Sequence, residues 1–170
     1  TWTQVGTAQL GVGHDVFIRS IHVDPSDPTI VYVASFGDRA FKITNAHATA
    51  TVTQLASAPA NVEEISFVGT RMYAACNTSG LYTASSPYTT WTTANTGLSL
   101  TSSWMSVAGF VSGANHVVYA GCANPLLSGG AHQCIMKSTH TSGGAPSWST
   151  VTGTAAIEHE MVKADGSNPT

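Results

Sequence analysis

Hydrophobic and polar residues alternate with a period of two along most of this chain, in short runs parted by turn residues. Such alternation sends successive side chains to opposite faces and predicts half-buried β-strands. The clearest case is SIHVDPSDPTIVYVAS, Ser20 to Ser35, where two alternating runs flank Asp24, Pro25, Asp27 and Pro28. Proline fixes φ and cannot donate to a ladder, while aspartate can hydrogen-bond the backbone nearby, so the segment reads as strand, tight turn, strand. FKIT (Phe41 to Thr44) and TVTQL (Thr51 to Leu55) supply a third and a fourth strand.

The same order then recurs. EISFV (Glu64 to Val68), MYAAC (Met72 to Cys76), GLYTAS (Gly80 to Ser85) and TWTTA (Thr90 to Ala94) form a second set. SVAGF (Ser106 to Phe110), VVYAGC (Val117 to Cys122), CIMKS (Cys134 to Ser138) and SWSTV (Ser147 to Val151) form a third. The second-strand tyrosines Tyr32, Tyr73 and Tyr119 lie 41 and 46 residues apart, and Cys76 and Cys122 each follow their tyrosine by three positions. A repeat of about 40–50 residues carrying four strands is the spacing of a β-propeller blade. A β-sandwich also offers short strands with regular turns but requires no such repeat. Helical patterning is nearly absent, and its best candidate, AAIEHEMVKA (Ala155 to Ala164), aligns with the first strand of a blade.

The expected fold is therefore all-β, a propeller of four-stranded antiparallel blades present as about three blades and two partial ones. The boundaries read as 1–12 for the end of one blade, 13–57, 58–98 and 99–154 for three blades, and 155–170 for the start of another. TWTQV (Thr1 to Val5) reads as an outermost strand, and MVKADGSNPT (Met161 to Thr170) matches SIHVDPSDPT in length and turn chemistry. Ring closure is expected to need the remaining blades of the same propeller or a partner chain that completes it, since propellers typically have about four to eight blades.

Composition narrows the function classes. Hydrophobic residues make up 42% of the 170, enough for a core, while charged residues are only 9% against roughly a quarter in average soluble proteins. Six Lys plus Arg and a net charge of -3 supply no basic stripe, which argues against nucleic acid as a partner. No apolar run reaches the roughly 20 residues of a membrane-spanning helix, so membrane insertion is not expected. The hydroxyl-rich, lysine-poor surface predicts a secreted or cell-surface protein. In that setting Cys122 and Cys134, flanking the loop ANPLLSGGAHQ, are candidates for a disulfide, with Cys76 left over. Asn77-Thr78-Ser79 matches a glycosylation sequon.

The DPSDPTIVYVAS hairpin, followed by a strand ending in a hydroxyl residue and then a Trp-bearing outer strand, resembles the Asp-box (BNR-like) β-propellers. That group includes secreted sialidases, sortilin-type receptors and the xyloglucan-hydrolysing endoglucanases of glycoside hydrolase family 74. KSTHTSGGAPSW (Lys137 to Trp148) keeps Ser138, Gly143, Gly144 and Trp148 of the Asp-box but has Thr and His in place of its Asp. TASSPYTTW (Thr83 to Trp91) keeps the hydroxyls and the Trp and lacks Asp and Gly. The resemblance implies a propeller whose first strands line a central channel, with ligands met at the loops beside them.

Aligning the repeats superposes Arg19, Glu63, Met105 and Glu160, with Asp15, Trp104, Glu158 and His159 nearby. Carboxylates converging from separate blades could serve as general acid and base on a glycosidic bond, with Trp104 stacking on a sugar. The competing reading is that Arg19 and Glu63 pair between neighbouring blades. Trp2, Trp91 and Trp148 occupy matching outer-strand positions and are expected to pack between strands. The histidines show no zinc-site spacing, and neither a metal nor a cofactor is expected. Two functions follow: a non-catalytic extracellular propeller used for binding, adhesion or structure, or a secreted xyloglucanase-like glycoside hydrolase acting on polysaccharide.

Overall fold

The computed structural model of the protein describes residues 17–98, 103–123 and 135–151. Twelve strands run through them: β1 (Phe17–Val23), β2 (Val31–Phe36), β3 (Phe41–Thr44), β4 (Thr51–Gln54), β5 (Val62–Val68), β6 (Arg71–Cys76), β7 (Gly80–Ser85), β8 (Thr92–Thr93), β9 (Trp104–Ser112), β10 (Asn115–Cys122), β11 (Ile135–Thr141) and β12 (Ser149–Thr150). They form three four-stranded antiparallel sheets, each a meander in chain order, and no helix occurs among the described residues. Within the described residues, the strands expected from the alternating pattern are present in the expected order. Residues 1–16 and 152–170, on which the expected partial blades fall, lie outside the described residues.

Turn chemistry sets the first hairpin. Asp24 Oδ1 accepts from the Ser26 backbone N–H at 2.8 Å and its hydroxyl at 2.6 Å, and Asp27 Oδ1 accepts from the Thr29 N–H at 2.9 Å and hydroxyl at 2.7 Å. The turn thereby supplies hydrogen bonds that the prolines cannot.

The second sheet lies between the other two: β5 packs against β1 and β2 on one side and against β9 on the other. Strand alternation explains how one sheet serves two cores. On β6, Met72, Ala74 and Cys76 face the first sheet together with Tyr32, Ala34 and Ile65, whereas Tyr73 and Ala75 face the third with Val107, Val118 and Met136. Burying a side chain such as Ile65, Met72 or Leu81 contributes about 1.5–3 kcal/mol. A smaller cluster, Val33, Phe41, Ile43 and Val52, lies on the far face of the first sheet.

The outermost strands are shorter than the five-residue runs expected at Thr90 to Ala94 and Ser147 to Val151. β8 and β12 keep two residues each. In the third sheet the cause is Trp148, which turns inward ahead of β12: its N–H donates to Thr96 O at 2.9 Å and its indole Nε1 to Ala94 O at 2.6 Å. The tryptophan stitches the third sheet to the second instead of extending a ladder, in keeping with its expected packing role. Gly97 makes the approach possible, because it holds φ +89° and a Cβ there would lie 2.3 Å from Trp148 O.

No disulfide is present among the described residues. Cys122 is buried, paired across the ladder with Trp104, and stands where Cys76 stands opposite Val62 and Ser35 opposite Ile18. The three positions share the need for a small buried side chain, which explains these cysteines without a staple. Cys134, the expected partner of Cys122, lies outside the described residues, as does the loop from Asn124 to His132.

Candidate functional site

The first strand of every sheet carries a β-bulge at the same place. Register slips between Ile18 and Ser20, between Val62 and Glu64, and opposite Gly121 and Cys122, where Trp104 and Ser106 are paired and Met105 is skipped. The residue left without a ladder partner is thus Arg19, Glu63 and Met105 in turn. A bulge re-aims the side chain of its extra residue. All three line one cavity of about 290 Å³, together with Ser20, His22 and Glu64. The repeat alignment superposes these three with Glu160; the structure brings the three together, and Glu160 lies outside the described residues.

Within the cavity wall, Arg19 Nε lies 3.0 Å from Glu63 Oε2, a salt bridge between the first and second sheets. Glu63 is buried, and its Oε1 accepts from Asn77 Nδ2 at 3.1 Å. Arg19 is about half exposed and stacks over the Phe36 ring at 5.3 Å. Glu64, also buried, accepts through Oε2 from the Val107 N–H of the third sheet at 3.3 Å. Ser20 does the same one sheet earlier, its hydroxyl accepting from the Ile65 N–H at 3.2 Å. The residue after the bulge in the first and second sheets therefore ties its strand to the equivalent backbone N–H of the next sheet. These carboxylates join sheets.

The other expected site residues divide. Trp104 is fully buried in the core between the second and third sheets, so its ring offers no face to a sugar and acts in packing. Asn77 is half-buried; besides its bond to Glu63, its Oδ1 accepts from the Ser103 hydroxyl at 3.3 Å and its backbone carbonyl from Trp104 N at 3.2 Å. It connects the second sheet to the third. Asp15, Glu158 and Glu160 lie outside the described residues.

A polar cluster that sequence reading passed over lies between the second and third sheets. Tyr73, fully buried, places its hydroxyl 3.0 Å from His116 Nδ1 and 2.8 Å from His140 Nε2. His140 Nδ1 is 3.1 Å from the Ser138 hydroxyl, which accepts from the Ser147 N–H. One phenol proton cannot serve two acceptors, so at least one of the two imidazoles donates to the Tyr73 oxygen. Burial pushes the Tyr73 phenol up to about 12. Burial first, and then the Arg71 charge, hold both imidazoles below their ordinary value. The signal was available in principle: His116 and His140 are direct cross-strand partners on β10 and β11, opposite a repeat tyrosine. Scattered along the sequence, they showed no spacing.

Among the described residues no group of three or more His, Cys, Asp or Glu side chains is arranged to hold a metal ion. Compared with known proteins, the chain matches no family model and no curated protein. The class defined by fold and site is an all-β protein of repeated four-stranded antiparallel sheets, joined by polar contacts at bulged first strands.

Proposed function

We propose that the chain is part of an extracellular β-propeller that works as a non-catalytic binding, adhesion or structural module. The observation that carries this reading is the use made of the two buried carboxylates where the first strands meet. Glu63 is engaged by Arg19 and Asn77, and Glu64 by the Val107 N–H. A glycosidase needs carboxylates facing an open cleft and able to exchange protons with substrate or water. Here they hold neighbouring sheets.

The propeller reading is supported by the repeated bulge and by the recurring bond from Ser20 and Glu64 to the next sheet, which relate successive sheets by one operation. Repetition of one operation is how blades assemble around an axis. Phe17, Ile21 and Val23 of β1 are more than half exposed, an apolar edge suited to packing against a further blade of the ring or a partner chain. The hydroxyl-rich, weakly charged composition supports an extracellular setting.

The test is incubation with soluble polysaccharides, xyloglucan included, with reducing ends and gel retardation measured together. Retardation without new reducing ends is expected. Chain cleavage that disappears in folded Glu63→Gln or Glu64→Gln variants would overturn the proposal in favour of a hydrolase.

A further inference from the structure

A second cleft, of about 340 Å³, opens beside the outer strands of the second sheet, away from the bulged strands. Ladder pairing explains its shape: Arg71 is opposite Ser85, and Tyr73, Thr83 and Thr92 form the next row, so these side chains share one face. The exposed wall is hydroxyl-rich, with Ser85, Ser86, Thr89, Thr90 and Thr92, and no carboxylate lines it.

Arg71 is the only charged group among the described residues of the lining. Its Nη1 donates to Ser142 O at 3.2 Å and Gly144 O at 2.6 Å, which fixes the guanidinium from the β11–β12 loop. Those partners are neutral, its buried Nε has no hydrogen-bond partner, and no carboxylate among the described residues pairs with it. Its face lies over Tyr73 at 6.0 Å, and the same unbalanced charge helps keep His116 and His140 neutral. A half-buried cation that no carboxylate among the described residues balances, at the end of a ladder of hydroxyls, calls for a ligand that brings both an anion and hydroxyl groups.

We propose that this cleft binds a carboxylate-bearing saccharide, with the acid on Arg71 and the sugar hydroxyls along the Ser85, Thr90 and Thr92 wall. The volume, near the lower end of the roughly 300–1,000 Å³ of small-molecule sites, suits one or two sugar rings. The assignment rests on the binding-module reading and names its ligand class.

The test is calorimetric titration of the 170-residue chain with galacturonate disaccharide, its neutral galactose counterpart and sodium sulfate. The acidic disaccharide is expected to bind at least about tenfold tighter than the neutral one, as one charge-assisted hydrogen bond predicts. Arg71→Gln is expected to erase that preference. So is Thr90→Glu, which places a like charge on an exposed wall and leaves the loop anchor intact. Equal binding of the two disaccharides, or a preference that survives Thr90→Glu, overturns the proposal. Sulfate binding as tightly as galacturonate overturns the saccharide assignment as well. Failure here with polysaccharide retardation intact removes this cleft alone, whereas cleavage of the polymer removes the non-catalytic reading.

Discussion

Replacing Tyr73 by Phe deletes one oxygen from the centre of the buried Tyr73, His116 and His140 cluster and leaves the ring in place. The hydroxyl contacts His116 Nδ1 at 3.0 Å and His140 Nε2 at 2.8 Å, so two ring nitrogens lose a partner together. His116 is only 3% exposed, water cannot replace the bond, and leaving a buried polar atom unsatisfied costs about 1–3 kcal/mol. His140 is half-buried, and its loss is closer to the net value of a hydrogen bond, about 0.5–1.5 kcal/mol. The sum predicts a loss of about 1.5–4.5 kcal/mol in urea unfolding at pH 8. Tyr119→Phe is the control, because Tyr119 is the equivalent tyrosine of the third sheet and is only half-buried; its change is expected within about 0.5 kcal/mol. If Tyr73→Phe is as stable as Tyr119→Phe, the cluster does not contribute as argued.

The same cluster sets a pH dependence. Both imidazoles have folded-state values below their ordinary 6.5, so the unfolded chain binds more protons than the folded one as pH falls. Their stabilisation is complete above about pH 6.5 and is lost as pH falls through the folded values. Urea midpoints are expected to drop as pH falls below about 6.5. A His116→Gln, His140→Gln double variant is expected to flatten that drop; an unchanged slope would assign it to other histidines.

Other perturbations test the contacts between sheets. Glu63→Gln breaks the bridge to Arg19 and is expected to cost about 1–2 kcal/mol by urea unfolding, a modest figure because Arg19 is 44% exposed and keeps its water. Gly97→Ala forces a Cβ to within 2.3 Å of Trp148 O at φ +89°, and a thermal melt is expected to show a loss above about 2 kcal/mol. Trp148→Phe removes the indole donor from Ala94 O and is expected to cost about 1–3 kcal/mol, with an altered near-ultraviolet circular dichroism spectrum.

The strands, their order and the Asp24 and Asp27 turn were legible in the sequence, because period-two patterning and turn chemistry act between residues close in the chain. Alignment of the repeats even superposed Arg19, Glu63 and Met105, since a bulge at one place in a repeated unit selects one position in each copy. Their chemistry was legible only as two readings, an acid and base pair or an ion pair of Arg19 with Glu63, and the structure shows the ion pair. Whether a glutamate faces solvent or an arginine depends on the separation of two sheets, and this decided for the Arg19 and Glu63 pair over an open acid. Trp104 shows the same limit, for an aromatic at a strand start reads equally as a stacking ring or as core.

Local periodicity therefore determined the all-β class and the four-strand unit, because alternation and turn preference are properties of neighbouring residues. Tertiary structure decided what those units do to one another: which face of β6 meets which sheet, that Glu64 bonds Val107 N–H, and that Tyr73, His116 and His140 share a proton network across 43 and 67 residues of chain. Such contacts join residues with no common period, and they exist only once the packing of the sheets brings their strands together.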